Sequence, residues 1–219
     1  MRNIRLFVLS LFVTVIVLLA VSAESTTLKI TSKIHPKYII EEIKSKPSVL
    51  YFAIGKFYFK IGKLDSSLRM FEKAVQSDPG FAPAYHNLGV VYYTKSEFDS
   101  ALIEFKKAVD LDVSYSKAYY SMGILYFELQ DFDNAISSFL RVVELQPENA
   151  NANFDLAQSY VARFRKNEEN NSEDYADLEK ALLYLNKTEE LQHGFPHALN
   201  NIDIIKSIVE AREILLEQP

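Results

Sequence analysis

Residues 82–115 read APAYHNLGVVYYTKSEFDSALIEFKKAVDLDVSY, and this stretch decides the fold. Tyr85, Leu88, Gly89 and Tyr92 fall at i, i+3, i+4 and i+7, which is one face of a helix. Leu102, Phe105, Ala108 and Val109 form a second apolar stripe at helical spacing. Between the stripes the polar run around Ser96 breaks the pattern, and Asp99 stands where it can cap the second helix by accepting from free backbone N–H groups. The unit reads as two helices joined by a short turn.

A step of 34 residues in either direction finds the same unit again. Gly55, Gly89 and Gly123 share this spacing, as do Tyr51, Tyr85 and Tyr119, Tyr58, Tyr92 and Tyr126, and Phe71, Phe105 and Phe139. Asp65, Asp99 and Asp133 repeat as well, with the apolar columns Ile54, Leu88, Met122 and Leu68, Leu102, Ile136. Ser67, Ala101 and Ala135 are uniformly small, and Ala74, Ala108 and Val142 nearly so. Nine columns in register exclude coincidence. Gly62 stands at the first unit's break, with Ser96 and Gln130 in its place later, and Pro79 and Pro147 mark the ends of units one and three because proline cannot continue a helix. Small residues let two helices cross closely, and the aromatic columns fill the space beside them.

These residues resemble the tetratricopeptide repeat (TPR) family, through the 34-residue step, the aromatic, Leu-Gly-like and Tyr positions of the first helix, and the small, aromatic, small and Pro positions of the second. Ser67 stands where the family prefers alanine and Val113 where it prefers proline. The resemblance implies an all-α fold, an α-solenoid of antiparallel helix pairs wound into a right-handed superhelix. The expected units are 48–81, 82–115 and 116–149. A degenerate fourth covers 150–193: Leu156, Ala157 and Tyr160 keep the step, but the second helix arrives twelve residues late, at Ala181, Leu182 and Leu185. The polar material around Arg163–Asp174 is expected to lengthen the first helix and add an exposed loop. Residues 194–219 are expected to form a C-terminal capping helix whose polar Lys206, Glu210, Arg212 and Glu213 shield the last unit. Before the repeats, residues 24–47 read as a spacer with a short capping helix over Pro36–Lys46.

The chain has 219 residues, 48% of them hydrophobic, which excludes a disordered chain. Six glycines and seven prolines are few, and they favour helix. The absence of cysteine removes disulfides, thiolate metal sites and cysteine nucleophiles. A net charge of −5 gives no electrostatic case for nucleic-acid binding. Arg2 and Arg5 precede the uncharged run Leu6–Val21, which ends at Val21-Ser22-Ala23. That is the order of a secretory signal, or of a membrane anchor if uncleaved, over residues 1–23. In both cases the positive charges place the rest of the chain outside the cytoplasm, in the periplasm or at the envelope.

No catalytic constellation emerges. His193 and His197 are four apart, but Gly194 and Pro196 prevent the helix that would make them converge on a metal. No phosphate-binding glycine loop and no nucleophile elbow occur, so neither a cofactor, a metal nor an enzymatic role is expected. Asn170-Asn171-Ser172 and Asn186-Lys187-Thr188 match the glycosylation acceptor pattern.

A second stripe runs along the first helices: Phe52, Lys56 and Phe59, then His86, Val90 and Tyr93, then Tyr120, Ile124 and Phe127, then Phe154, Gln158 and Val161. A helix apolar on two faces buries both or offers one to a ligand. In the family resembled, first helices line a concave groove, which implies a partner protein or peptide with apolar or aromatic anchors. The family's carboxylate clamp matches at Asn87 and Lys117 only; Phe52, Lys56 and Ser121 occupy its other positions, so a clamp of that type is not expected. The resulting expectation is a non-enzymatic interaction scaffold of the bacterial envelope. A self-associating structural subunit is the main alternative, and an envelope enzyme with an unrecognised site is the third.

Overall fold

The computed structural model describes residues 46–168 and 175–216. The N-terminal segment 1–23, the spacer and capping helix expected before Lys46, the loop of the polar insertion beyond Glu168 and the acceptor pattern at Asn170 lie outside the described residues. Among the described residues every regular element is an α-helix: α1 (Pro47–Lys60), α2 (Leu64–Ser77), α3 (Ala82–Thr94), α4 (Phe98–Leu111), α5 (Ser116–Glu128), α6 (Phe132–Leu145), α7 (Ala150–Glu168), α8 (Ala176–Leu191) and α9 (Ala198–Leu216).

The chain divides into two compact units between Asp112 and Val113. In the first, α1 pairs with α2 and α3 with α4, and α2 packs on α3. In the second, α5 pairs with α6 and α7 with α8, α6 packs on α7, and α9 covers α8. Each hairpin leaves apolar surface that only its neighbour can cover, which is the physical basis of a repeat array.

The repeated columns each have a structural task. Phe71, Phe105 and Phe139 are each 1% exposed. A Cβ added at Gly55, Gly89 or Gly123 would stand 2.6, 2.5 or 2.6 Å from the ring of the phenylalanine sixteen residues later. The ring therefore occupies the space that a side chain on the first helix would need. The fourth hairpin solves the same problem differently, with Ala157 and the shorter Leu185, both fully buried. Ser67, the departure from alanine, donates its hydroxyl to the Gly55 carbonyl at 2.9 Å, so a buried polar group is satisfied. The tyrosine column that opens each first helix carries a cation from the second: Lys73 over Tyr51, Lys107 over Tyr85 and Arg141 over Tyr119, at 5.7, 5.8 and 6.0 Å.

The break between helices is a left-handed residue. Gly62, Ser96 and Gln130 have φ of 74°, 61° and 57°. The next N–H in each case reaches back five residues, from Lys63 to Tyr58 O, Glu97 to Tyr92 O and Asp131 to Tyr126 O, each at 2.9 Å. That is the Schellman closure of a helix C-terminus. It leads directly into the second helix, and this corrects the reading of the aspartate column. The capping positions fall to Lys63, Glu97 and Asp131, of which only Asp131 accepts a backbone N–H with its side chain, from Asn134. Asp65, Asp99 and Asp133 lie inside the first turn, where a negative charge favours the helix dipole. Two of them also bind sideways to the following hairpin: Asp65 to Lys95 at 3.1 Å and Asp133 to Arg163 at 2.6 Å.

The fourth hairpin begins at Asn149, whose side chain accepts from the Ala152 N–H at 3.1 Å. Its first helix is longer, and part of the polar insertion is integrated into the packing. Arg163 forks onto Asp177 at 2.8 and 2.6 Å and reaches Asp133 with its third nitrogen. Phe164 is buried against Tyr175, with ring centres 5.2 Å apart. Helix α9 buries Ala198, Ile202 and Ile205 in the second unit's core. Lys206 and Glu210 on this helix are exposed, and so are Leu199, Ile204 and Ile208; the side chains of Arg212 and Glu213 lie outside the described residues. Thr188 of the second acceptor pattern is fully buried and donates to Tyr184 O at 2.8 Å.

Candidate functional site

The second stripe occupies an intermediate layer. In the first unit Phe52 packs its ring on Phe71 and Phe81, with centres 5.6 and 5.1 Å away, while Lys56 Nζ sits 4.9 Å over its outer side. Phe59 packs on the cluster of Phe71, Leu88 and Val91. His86 lies against Phe105 at 5.6 Å and Tyr93 against Phe98 at 5.8 Å; Val90 is half-buried. Asn87 donates to Pro83 O of its own helix at 2.8 Å. These side chains brace the hairpin with one edge and leave the other accessible.

In the second unit the same stripe opens into a cleft of about 440 Å³. Ile124 and Phe127 come from α5, Phe154 and Gln158 from α7, and Phe139 closes the floor from α6. Four of these five were expected from the stripe; Phe139 was assigned to the core. Lys117 is exposed and does not line the cleft. Tyr120 does not line it either. Its ring packs edge-on against Phe139 at 5.6 Å, and its hydroxyl donates to Asp155 Oδ2 at 2.5 Å.

Asp155, His197 and Asn201 complete the lining; Asp155 and Asn201 were not singled out in the sequence, and His197 was weighed there only as a metal ligand. His197 and Asn201 come from the turn and the start of α9, which reach the cleft only by folding back. The turn is pinned by Gly194, whose N–H donates to Glu189 at 2.7 Å, and by Phe195, whose ring lies 4.9 Å from Phe154. Asp155 had a readable signal: it lies 34 residues beyond Ser121 and 68 beyond Asn87, in the column already compared with the clamp.

The electrostatics centre on Asp155. Burial pushes its carboxyl above the usual range, and the hydrogen bond from Tyr120 pulls it part of the way back. Burial, then the hydrogen bond to Asp155 and its negative charge, push the Tyr120 phenol well above its ordinary value. The arrangement is a carboxyl group whose charged form is disfavoured by burial and favoured by the phenol's hydrogen bond, beside an apolar wall. Such a site accepts donors and shelters apolar groups. Among the described residues no group of three or more His, Asp or Glu side chains is placed to hold a metal ion.

Tetratricopeptide-repeat models match residues 52–115 and 116–149. The first TPR of Spaghetti (RPAP3), solved with the HSP90 peptide SRMEEVD, is 31% identical over 52% of this chain and 91% of that one, with a TM-score of 0.51. The chain belongs to the tetratricopeptide-repeat family. Two TPR-fold structures cover more of it. MamA is 23% identical over 79% of this chain and 88% of that one, with a TM-score of 0.65. YrrB, described as a TPR protein with an unusual peptide-binding site, is 22% identical over 80% and 84%, with a TM-score of 0.64. Among curated protein sequences none matches.

Proposed function

We propose that this TPR protein is a non-enzymatic interaction scaffold that captures a peptide segment of a partner protein in the cleft of its second unit. The observation that carries the reading is the convergence of Ile124, Phe127, Phe154 and Gln158, from two successive first helices, on one open cavity that ends at a half-buried carboxylate. Binding sites combine apolar walls with a few placed polar groups, and this cleft has both. Peptide binding by YrrB and by the RPAP3 repeat supports the same use of the fold. The charge and hydropathy order of residues 1–23 supports export, with the repeats on the outer side of the cytoplasmic membrane and the partner in the envelope. The test is a photo-crosslinking residue placed at Gln158 in the native cell. A discrete captured polypeptide is expected from Gln158 and none from the exposed Ile103 on α4. The same products from both positions would defeat the cleft reading.

One observation favours a second reading, self-association. Helix α9 exposes Leu199, Ile204 and Ile208, apolar surface at the end of an array that ordinarily carries a polar outer face. If copies meet there, Ile204→Lys with Ile208→Lys converts a concentration-independent oligomer into a monomer in a sedimentation experiment.

A further inference from the structure

The proposed cleft also carries a statement about the chemistry of its occupant. Its walls are Ile124, Phe127, Phe139 and Phe154, and Asp155 is the one formally charged side chain in the lining, with histidine counted as neutral. Asp155 is half-buried, one of its oxygens is taken by the Tyr120 hydroxyl, and among the described residues no cationic side chain forms an ion pair with it. Asp177, another sheltered carboxylate of the second unit, has Arg163 as its cation. A carboxylate held away from water with only a neutral donor leaves charge uncompensated, and an incoming cation would satisfy it.

Register sharpens the point. Along the column Ala53, Asn87, Ser121, Asp155, only the fourth hairpin carries an acid. An acidic segment is therefore repelled where a basic one is attracted. Resting on the cleft reading above, we infer that the occupant is a peptide segment in which a lysine or arginine stands next to an aromatic or branched aliphatic residue, the cation meeting Asp155 and the apolar side chain lying between Phe127 and Phe154.

The probes are four pools of capped, amidated octapeptides with a central X–Phe pair, in which X is Lys, Arg, Glu or norleucine, the last an uncharged chain of similar length to lysine. Their binding to the full chain is read by fluorescence anisotropy. The Lys and Arg pools are expected to bind at least tenfold tighter than the norleucine pool, with the advantage shrinking as salt rises. The Glu pool should bind weakest. Asp155→Asn retains an acceptor for Tyr120 and should bring the Lys and norleucine pools within twofold of each other. Tyr120→Phe, which leaves the carboxylate in place, should preserve the preference for Lys. Equal binding of all four pools, abolished by Ile124→Ser, would keep the cleft as a peptide site and overturn the basic occupant. A Lys preference that survives Asp155→Asn would also overturn it. Absence of binding by every pool would overturn both the occupant and the cleft reading beneath it.

Discussion

The smallest decisive feature is a glycine facing a phenylalanine. At Gly123 an added methyl group would stand 2.6 Å from Phe139 Cε1, and that side chain is 1% exposed. Gly123→Ala should therefore destabilise the second unit by about 2 kcal/mol, the usual range for an overpacked core, measured by urea unfolding. Combining it with Phe139→Leu reproduces the Ala157 and Leu185 pair of the fourth hairpin, and the double variant should be more stable than the sum of the singles predicts. Strict additivity would show that the two positions do not share space. Asp155 gives a second prediction at this scale. Its carboxyl is raised in the folded chain from an ordinary value of 3.8, so the folded state keeps a proton that the unfolded chain has released. Stability from this group is full below the ordinary value and is lost as pH rises through the raised one. Asp155→Asn has no such loss, so it should gain on the wild type as pH rises above the ordinary carboxyl value, in parallel denaturation curves. An offset that does not change with pH would refute this.

Between residues and the whole chain, the helix ends and their lateral ties decide how hairpins join. Gly62 takes the left-handed conformation without steric cost, whereas Ser96 and Gln130 take it with a Cβ. Gln130→Gly should therefore leave α5 and α6 unchanged in circular dichroism and raise the unfolding midpoint, by about 0.5–1 kcal/mol of stability. A fall would mean that the Gln130 side chain has a role of its own. The lengthened α7 is a different case. Arg163 ties it to α8 through Asp177 and to α6 through Asp133. Asp177 is only 11% exposed as a side chain while Arg163 is 25% exposed. Arg163→Leu should destabilise the second unit by about 2–3 kcal/mol, less than a fully buried pair because water reaches part of the guanidinium. Asp65→Asn, which removes the exposed partner of Lys95, should change stability little.

At the scale of the molecule, a repeat array responds locally. Neighbouring hairpins share surfaces, and distant ones share none. Gly89→Ala in the first unit should lower amide-exchange protection in α3 and α4 while α7 and α8 keep theirs; uniform loss would show one indivisible cooperative body. The 34-residue periodicity alone determined the helix pairs, the core columns and the family, because each is set by spacing within one short stretch of chain. The late second helix of the fourth hairpin was also legible, since Ala181 and Leu185 restate the small and large columns after the insertion. The stripe likewise named four lining residues of the cleft. What the sequence could not show is that its third and fourth copies line one cleft, and what stands at the end of it. In the first unit the equivalent side chains brace the core, while in the second they line a cavity completed by His197 and Asn201, some 40 residues further along the chain. Only the tertiary fold decides this, because contacts between residues distant in the chain depend on how α9 returns over α8, and no periodicity encodes that return. The same holds for Asp155, a half-buried carboxyl group in the structure that in sequence was one more acidic residue on a helix, since burial is a property of neighbours and not of a residue's identity.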